Sequence, residues 1–395
     1  MRGIEYYVNL SQEEKESIGL VHTAVEINQQ PEMWRDTCAR VAARPDLQKW
    51  RDFQGKERPH VILSGAGTSY YVAVALQPLW RELLGSPCEA WPTTRIITEP
   101  GVVFCGTGPH LHISFARSGN NPESIGSVKL ADAVGVNPYH VGVTCNSESY
   151  LASLGEQRPN AASIVLHPKT LDRGLAMTSS FTSLIVAGQA LAALAAGIDA
   201  APVVESLALL GQRLLARSHE LMGIVADGKF ERVYVMGDSS LYGVALEGVL
   251  KFEEFSDGQI MGIAESFLGA RHGNANVIND RTLIISLLSA DQDVRDYQLS
   301  VVQEMRERRP NSFSLVIALH DYNLEELADC VLVLDESGTH QIPDSWRAPL
   351  DTVALQCMAL QSAMTLGLCP DNPFRHRATA RAIEGLKLKP RSTGR

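Results

Sequence analysis

From residue 60 onward the chain alternates short apolar runs with amphipathic stretches. Val61–Leu63, Leu111–Phe115, Val141–Thr144 and Ser163–Leu166 are such runs, each bounded by Gly, Ser, Asn or Pro. Helical periodicity fills most of the intervals. Short runs without alternation mark strands buried on both faces, and the intervals have room for crossover helices, so a parallel sheet is predicted. Val233–Met236, Leu283–Leu287, Leu315–Ala318 and Val331–Leu334 form a second set. Gly65 and Gly237 each close the first run of their set, 172 residues apart (237 − 65), and Ile113 and Ile285 in the second runs share that spacing (285 − 113). One offset at two strands predicts two copies of one αβ unit.

The chain before the first run reads as helical. Ser11 and Glu14 form a capping-box signature, and an apolar face continues through Val21, Ala24 and Ile27 until Pro31 interrupts it. A second helical pattern starts at Met33. A long helical segment from about Met177 to Arg217 links the two copies, and a tail follows from Pro370. The expected fold is α/β: two tandem doubly wound parallel-sheet domains over roughly 41–200 and 213–365. A helical N-terminal arm over 1–40 and a C-terminal tail over 366–395 flank them.

Composition narrows the chemistry. A chain of 395 residues, 45% hydrophobic and 20% charged, suits two globular domains and excludes disorder as the default. A net charge of −10 makes nucleic acid and anionic membrane poor partners. The seven cysteines are odd in number and form no CxxC pair, so neither a disulfide framework nor a thiolate zinc site is expected. Most read as small buried residues of a reducing compartment. The N-terminus has no apolar core of signal-peptide length. Leu184–Ile198, the longest apolar run, contains Gly188 and Gln189 and is too short to span a bilayer. A cytoplasmic protein with no membrane partner is expected.

Candidate chemistry gathers at the predicted strand ends. Gly65-Ala66-Gly67-Thr68-Ser69 follows the first strand and precedes a helix. Its glycines allow close backbone approach, and its hydroxyls and helix N–H groups can hold phosphate. A third glycine and a GK[ST] are both missing, so no nucleotide cofactor is expected. A tight structural turn explains the same residues. The next strand ends in Ala116-Arg117-Ser118-Gly119-Asn120, with Asn121 and Pro122 opening toward a helix. Arg117, Ser118 and the amides near Gly119 can converge on an anion at the carboxyl edge of the sheet. Thr178, Ser179 and Ser180 precede another helical run, where capping alone accounts for them. The matched strand ends of the second copy, Gly237-Asp238-Ser239-Ser240 and Ser289-Ala290-Asp291, carry acids, so an anion should prefer the first copy. Glu247, Lys251 and Glu254 share one helix face, and spacing alone favours a solvated charged stripe over a base with a neighbouring lysine. His272 sits between elements, as a surface residue or an acid/base. No HExxH or clustered ligand spacing suggests a metal.

Together these segments resemble the sugar-isomerase (SIS) domain family, whose units are flavodoxin-like sandwiches. More narrowly they resemble bacterial galactosamine-6-phosphate deaminases, also labelled tagatose-6-phosphate ketose/aldose isomerases. The resemblance is carried by Glu26-Ile27 with Gln30-Pro31 and Trp34, LSGAGTSYY, SFARSGNNPES, TCN at 144–146, GLAMTSSFTS, ALEGVLKFEEFSDG, ESFLGARHG and PDNP at 370–373, in the family's order. It implies a sugar 6-phosphate substrate and conversion of galactosamine 6-phosphate to tagatose 6-phosphate and ammonia. Ketose/aldose isomerisation, deglycation and non-catalytic sensing stand as alternatives. The more distant isomerase domain of glucosamine-6-phosphate synthase implies phosphate held by Thr68, Ser69, Arg117, Ser118 and the 177–180 region, a proton-carrying Glu254, and a ring-opening His272. It also implies a homodimer in which His272 reaches the neighbouring subunit's site. Three positions depart from the pattern. Asn274 replaces a proline after His272-Gly273, which is expected to loosen that loop. Asn121 replaces a hydroxyl, removing one phosphate donor and supplying an amide. Arg381 stands near the synthase's C-terminal lysine and would bind rather than transfer protons.

Overall fold

A computed structural model describes residues 2–44, 46, 47 and 58–374. The first half is a five-stranded parallel sheet of β1 (His60–Gly65), β2 (Cys88–Pro92), β3 (His110–Ala116), β4 (Tyr139–Thr144) and β5 (Ala161–Val165), in the order β2-β1-β3-β4-β5. The second is built from β6 (Arg232–Met236), β7 (Met261–Glu265), β8 (Thr282–Leu287), β9 (Phe313–Ala318) and β10 (Cys330–Val333), in the order β7-β6-β8-β9-β10. The two orders are identical once β6 is matched to β1. All eight apolar runs are strands. The two strands that no run announces, β2 and β7, lie at sheet edges, where Glu89–Pro92 are half-buried and Met261 is exposed.

In this strand order the connections turn opposite ways from β1 and β3, which opens a crevice at their carboxyl ends. The helices Thr68–Leu84 and Ser240–Phe255 begin at the two crevices. Both strand ends require glycine, because a Cβ on Gly65 would lie 2.2 Å from the Ser69 carbonyl oxygen and one on Gly237 2.4 Å from that of Leu241. The following turn has positive φ in both copies, 55° at Gly67 and 53° at Ser239.

These two helices pack directly on one another. A Cβ on Gly243 would sit 2.6 Å from the Ala75 nitrogen, so the backbones approach at a position where only glycine fits. One continuous hydrophobic core joins Val61, Ile113 and Val141 of the first sheet to Val233, Ile285 and Leu315 of the second. The helices Ser179–Ala196 and Asp344–Thr365 fill its middle. Ser179–Ala196 is long and apolar enough to cross a membrane, more so than the run Leu184–Ile198 suggested; here it is buried against protein.

A chain of buried hydrogen bonds stitches the N-terminal region to this core. Trp34 Nε1 donates to Thr182 Oγ1 (2.9 Å), Thr182 Oγ1 to Gln30 Oε1 (2.6 Å), Gln30 Nε2 to Gln356 Oε1 (2.8 Å), and Gln356 Nε2 to the Thr178 carbonyl (3.2 Å). The capping box at Ser11 forms. The apolar face beyond it is split, however, because Gly19 ends the helix at φ 64° with Cys369 so close that a Cβ would meet it at 2.5 Å. Thr23–Asn28 is then a separate helix. Its opening N–H groups at Val21, His22 and Thr23 donate to the Asp371 carboxylate of the PDNP segment. All seven cysteines are free; Cys38, Cys88, Cys145 and Cys357 are buried, whereas Cys105 and Cys369 are exposed.

Candidate active site

Glu247 and Lys251 are fully buried, and the Glu254 side chain is 26% exposed. The solvated stripe that spacing favoured therefore does not form. The face carrying these charges is closed over by the helices Thr68–Leu84 and Asp344–Thr365, which the spacing of one helix cannot reveal. Lys251 Nζ lies 3.2 Å from Glu247 Oε1, contacts Glu254 Oε2 directly, and donates to Thr68 Oγ1 at 3.4 Å. A lysine of the second copy thus reaches the candidate phosphate loop of the first.

Burial would lower Lys251, but Glu247 and Glu254 outweigh it and raise the ammonium's affinity for its proton. Burial pushes Glu247 the costly way, up to about 8, against the pull of Lys251. The 3.2 Å approach of Lys251 to Glu247 lacks hydrogen-bond geometry at either Glu247 oxygen, so burial governs that acid. Lys251 stays charged, Glu254 is its ion-pair partner, and Glu247 carries a proton near neutrality.

The anion-binding candidates come from three segments. Thr68 and Ser69 are buried in the first turn after Gly67. In the loop after β3, Arg117 Nη1 donates to the Leu175 carbonyl (3.2 Å), and the carbonyl of the exposed Ser118 accepts from Asn146 Nδ2 (3.2 Å). Asn120 Oδ1 accepts from the Tyr150 N–H (2.7 Å). Asn121 Oδ1 caps the helix Pro122–Val134 through the Ser124 N–H (2.6 Å). Both asparagines therefore shape the loop through their Oδ1 atoms. Thr178 and Ser179 open the helix Ser179–Ala196 with fully buried hydroxyls that have no partner among the described residues. The capping expected of them is performed by Asp172, a residue the sequence reading passed over because nothing in its spacing sets it apart.

His272 is exposed in the turn after Phe267–Ala270, where its N–H donates to the Gly269 carbonyl (2.9 Å). No hydrogen bond among the described residues joins it to the Lys251 cluster. Asn274, which stands where the loop was expected to loosen, donates its side-chain amide to Glu265 Oε2 at 2.5 Å, at the end of β7. Arg381 lies outside the described residues.

No family model matches the chain. It is 35% identical over 93% of its length to a protein of Streptomyces coelicolor provisionally named D-galactosamine-6-phosphate deaminase AgaS, covering 95% of that relative. The D-galactosamine-6-phosphate deaminase AgaS of Shewanella sp. ANA-3 is 29% identical over 96% of this chain and 95% of its own. Among solved structures, a tagatose-6-phosphate ketose/aldose isomerase from Escherichia coli superposes with a TM-score of 0.83 at 27% identity, covering 93% of this chain and 96% of its own.

Proposed function

The chain belongs to the AgaS family of SIS-type sugar-phosphate isomerases and deaminases, and on that footing we propose that it converts galactosamine 6-phosphate and water to tagatose 6-phosphate and ammonia. The observation that carries this reading is the contact of Lys251 with both Glu254 and Thr68, which brings a carboxylate close to the Gly65–Ser69 turn. Thr68, Ser69, Arg117, Ser118, Thr178 and Ser179 would hold the phosphate. After ring opening, Glu254 takes the proton from C2, giving an enolamine, and returns a proton to C1. The resulting ketimine adds water and expels ammonia. One carboxylate serves both carbons because they are adjacent. The Lys251 ammonium orients Glu254 through their ion pair, and the buried, protonated Glu247 avoids placing a second negative charge beside it.

His272 would assist ring opening in the site of a neighbouring protomer. Its exposure, with the apolar Leu268 and Val277 exposed on either side, suits contact with a second copy. Galactosamine, glucosamine and tagatose 6-phosphates, assayed with ammonia and ketose measured separately, test the reaction. Ammonia and ketose should form one for one from galactosamine 6-phosphate. Interconversion of ketose and aldose phosphates without ammonia would replace deamination with plain isomerisation.

A further inference from the structure

The helix Ser179–Ala196 starts in an unusual way. Thr178, at its cap position, makes no side-chain capping bond. The cap comes from six residues upstream: Asp172 Oδ2 accepts from the Thr178 N–H (2.8 Å), the Ser180 N–H (2.9 Å) and the Ser180 hydroxyl (2.5 Å). A capping hydroxyl normally spends its oxygen on the backbone. Because Asp172 takes that duty, Thr178 Oγ1 and Ser179 Oγ are left buried at a helix N-terminus with no hydrogen-bond partner among the described residues. A buried hydroxyl without a partner is costly, which is tolerable where a ligand completes it.

Asp172 is itself held by its surroundings. Glu26 Oε1 accepts from the N–H groups of Arg173 (2.6 Å) and Gly174 (3.2 Å), fixing the chain just after it. Gly174 has no room for a side chain, since a Cβ would lie 2.7 Å from Thr23 Oγ1 and 3.0 Å from Glu26 Oε2. Arg117, which bonds the Leu175 carbonyl, lends its charge to the same carboxylate. The segment 172–178 thus ties the arginine of one strand-end loop to the hydroxyls of another.

We propose that Asp172 is a positioning residue for substrate phosphate, capping the helix in place of Thr178 so that the Thr178 and Ser179 hydroxyls stay free for the anion. This rests on the phosphate assignment made above. Removing the cap turns Thr178 back to its own backbone, so phosphate affinity falls while the chemistry at C2 is untouched.

The test is steady-state kinetics with galactosamine 6-phosphate, with a thermal midpoint for every variant. Asp172→Ala should raise KM at least tenfold and change kcat less than threefold. Asp172→Asn retains an acceptor oxygen and should bring KM back to within about threefold of wild type. Ser180→Ala, which deletes one bond to Asp172 without removing charge, should raise KM a few-fold and covers the case in which Asp172→Ala fails to fold. A purely structural cap would lower the thermal midpoint and the yield of active enzyme while leaving KM at the wild-type value, and that result overturns the proposal. Ser118→Ala and Thr178→Val serve as references. If both raise KM and no change at Asp172 or Ser180 does, this proposal alone fails. If neither raises KM, the phosphate assignment fails and this proposal with it.

Discussion

The crevice of the first sheet and that of the second share a backbone and differ in charge. Thr68 corresponds to Ser240, Arg117 to Ser289 and Ser118 to Ala290, each 172 residues on. In the second half, Asp238 accepts from the Phe267 N–H (3.2 Å) and Gln298 Nε2 (2.8 Å), and Asp344 accepts from the Ala290 N–H (2.9 Å) and the Ser289 hydroxyl. Backbone donors that an anion would need are therefore consumed by the chain's own carboxylates. The cleft there, about 560 Å³, is lined by Glu82, Asp238, Asp291 and Asp344 and, among the described residues, by no lysine or arginine. The helices differ as well: Leu79 and Glu82 stand where the other copy has Lys251 and Glu254. The two halves share one strand order, and on the function proposed above a handful of side chains would fit only the first crevice for a phosphate beside a base.

The two crevices should differ most at the two glutamates. Glu254→Gln should lower kcat on the order of hundreds- to ten-thousand-fold, as expected for loss of a general base. Glu82→Gln, its counterpart, should stay within twofold, and comparable losses in both would dissolve the distinction.

The next effect is on stability. A folded chain that keeps the Glu247 proton until about pH 8, against an ordinary value near 4.5, binds more protons than the unfolded chain between those values. Stability must then fall as pH rises through that window, by on the order of a few kcal/mol. Glu26, buried and likewise pushed up to about 8, acts in the same direction. Denaturant unfolding of Glu247→Gln from pH 5 to 8 should show a shallower decline than wild type; an unchanged slope would place the Glu247 charge in the native state.

Ser118→Ala removes a donor to a charged group, worth about 1.5–3 kcal/mol, and should raise KM roughly tenfold or more with little change in kcat. Deleting the hydroxyl at its second-copy neighbour, Ser289→Ala, should leave KM as it is. The smallest effect separates the turns. Ser239 holds φ 53° and ψ −127°, which its counterpart Gly67 adopts freely. Ser239→Gly should relieve strain on the order of 1 kcal/mol, read as a higher thermal midpoint.

Eight strands and the duplication were legible because strands buried on both faces leave continuous apolar runs and because one offset recurs. The edge strands β2 and β7 were not, since half-buried Glu89–Pro92 and exposed Met261 break any run. The Glu247–Lys251–Glu254 spacing was visible, but its burial depends on Thr68 and on the helix Asp344–Thr365, remote in sequence. The same holds for Asp172, whose role comes from a cap six residues away, and for Asn274, whose partner Glu265 lies on an edge strand. Gln30, Trp34 and Asp371 belong to segments that carried the resemblance, and the structure gives them packing and capping roles.

Hydrogen exchange distinguishes a Glu254 that carries the proton at C2 from a Glu82 that does not. Wild type, Glu254→Gln and Glu82→Gln, each shown to be folded and to bind sugar phosphate, would be incubated with galactosamine 6-phosphate in heavy water, and deuterium at C1 and C2 followed by NMR. Wild type and Glu82→Gln should incorporate deuterium at matching rates, and Glu254→Gln should incorporate none above the uncatalysed background. Exchange at the wild-type rate in Glu254→Gln would contradict that role and move the base elsewhere.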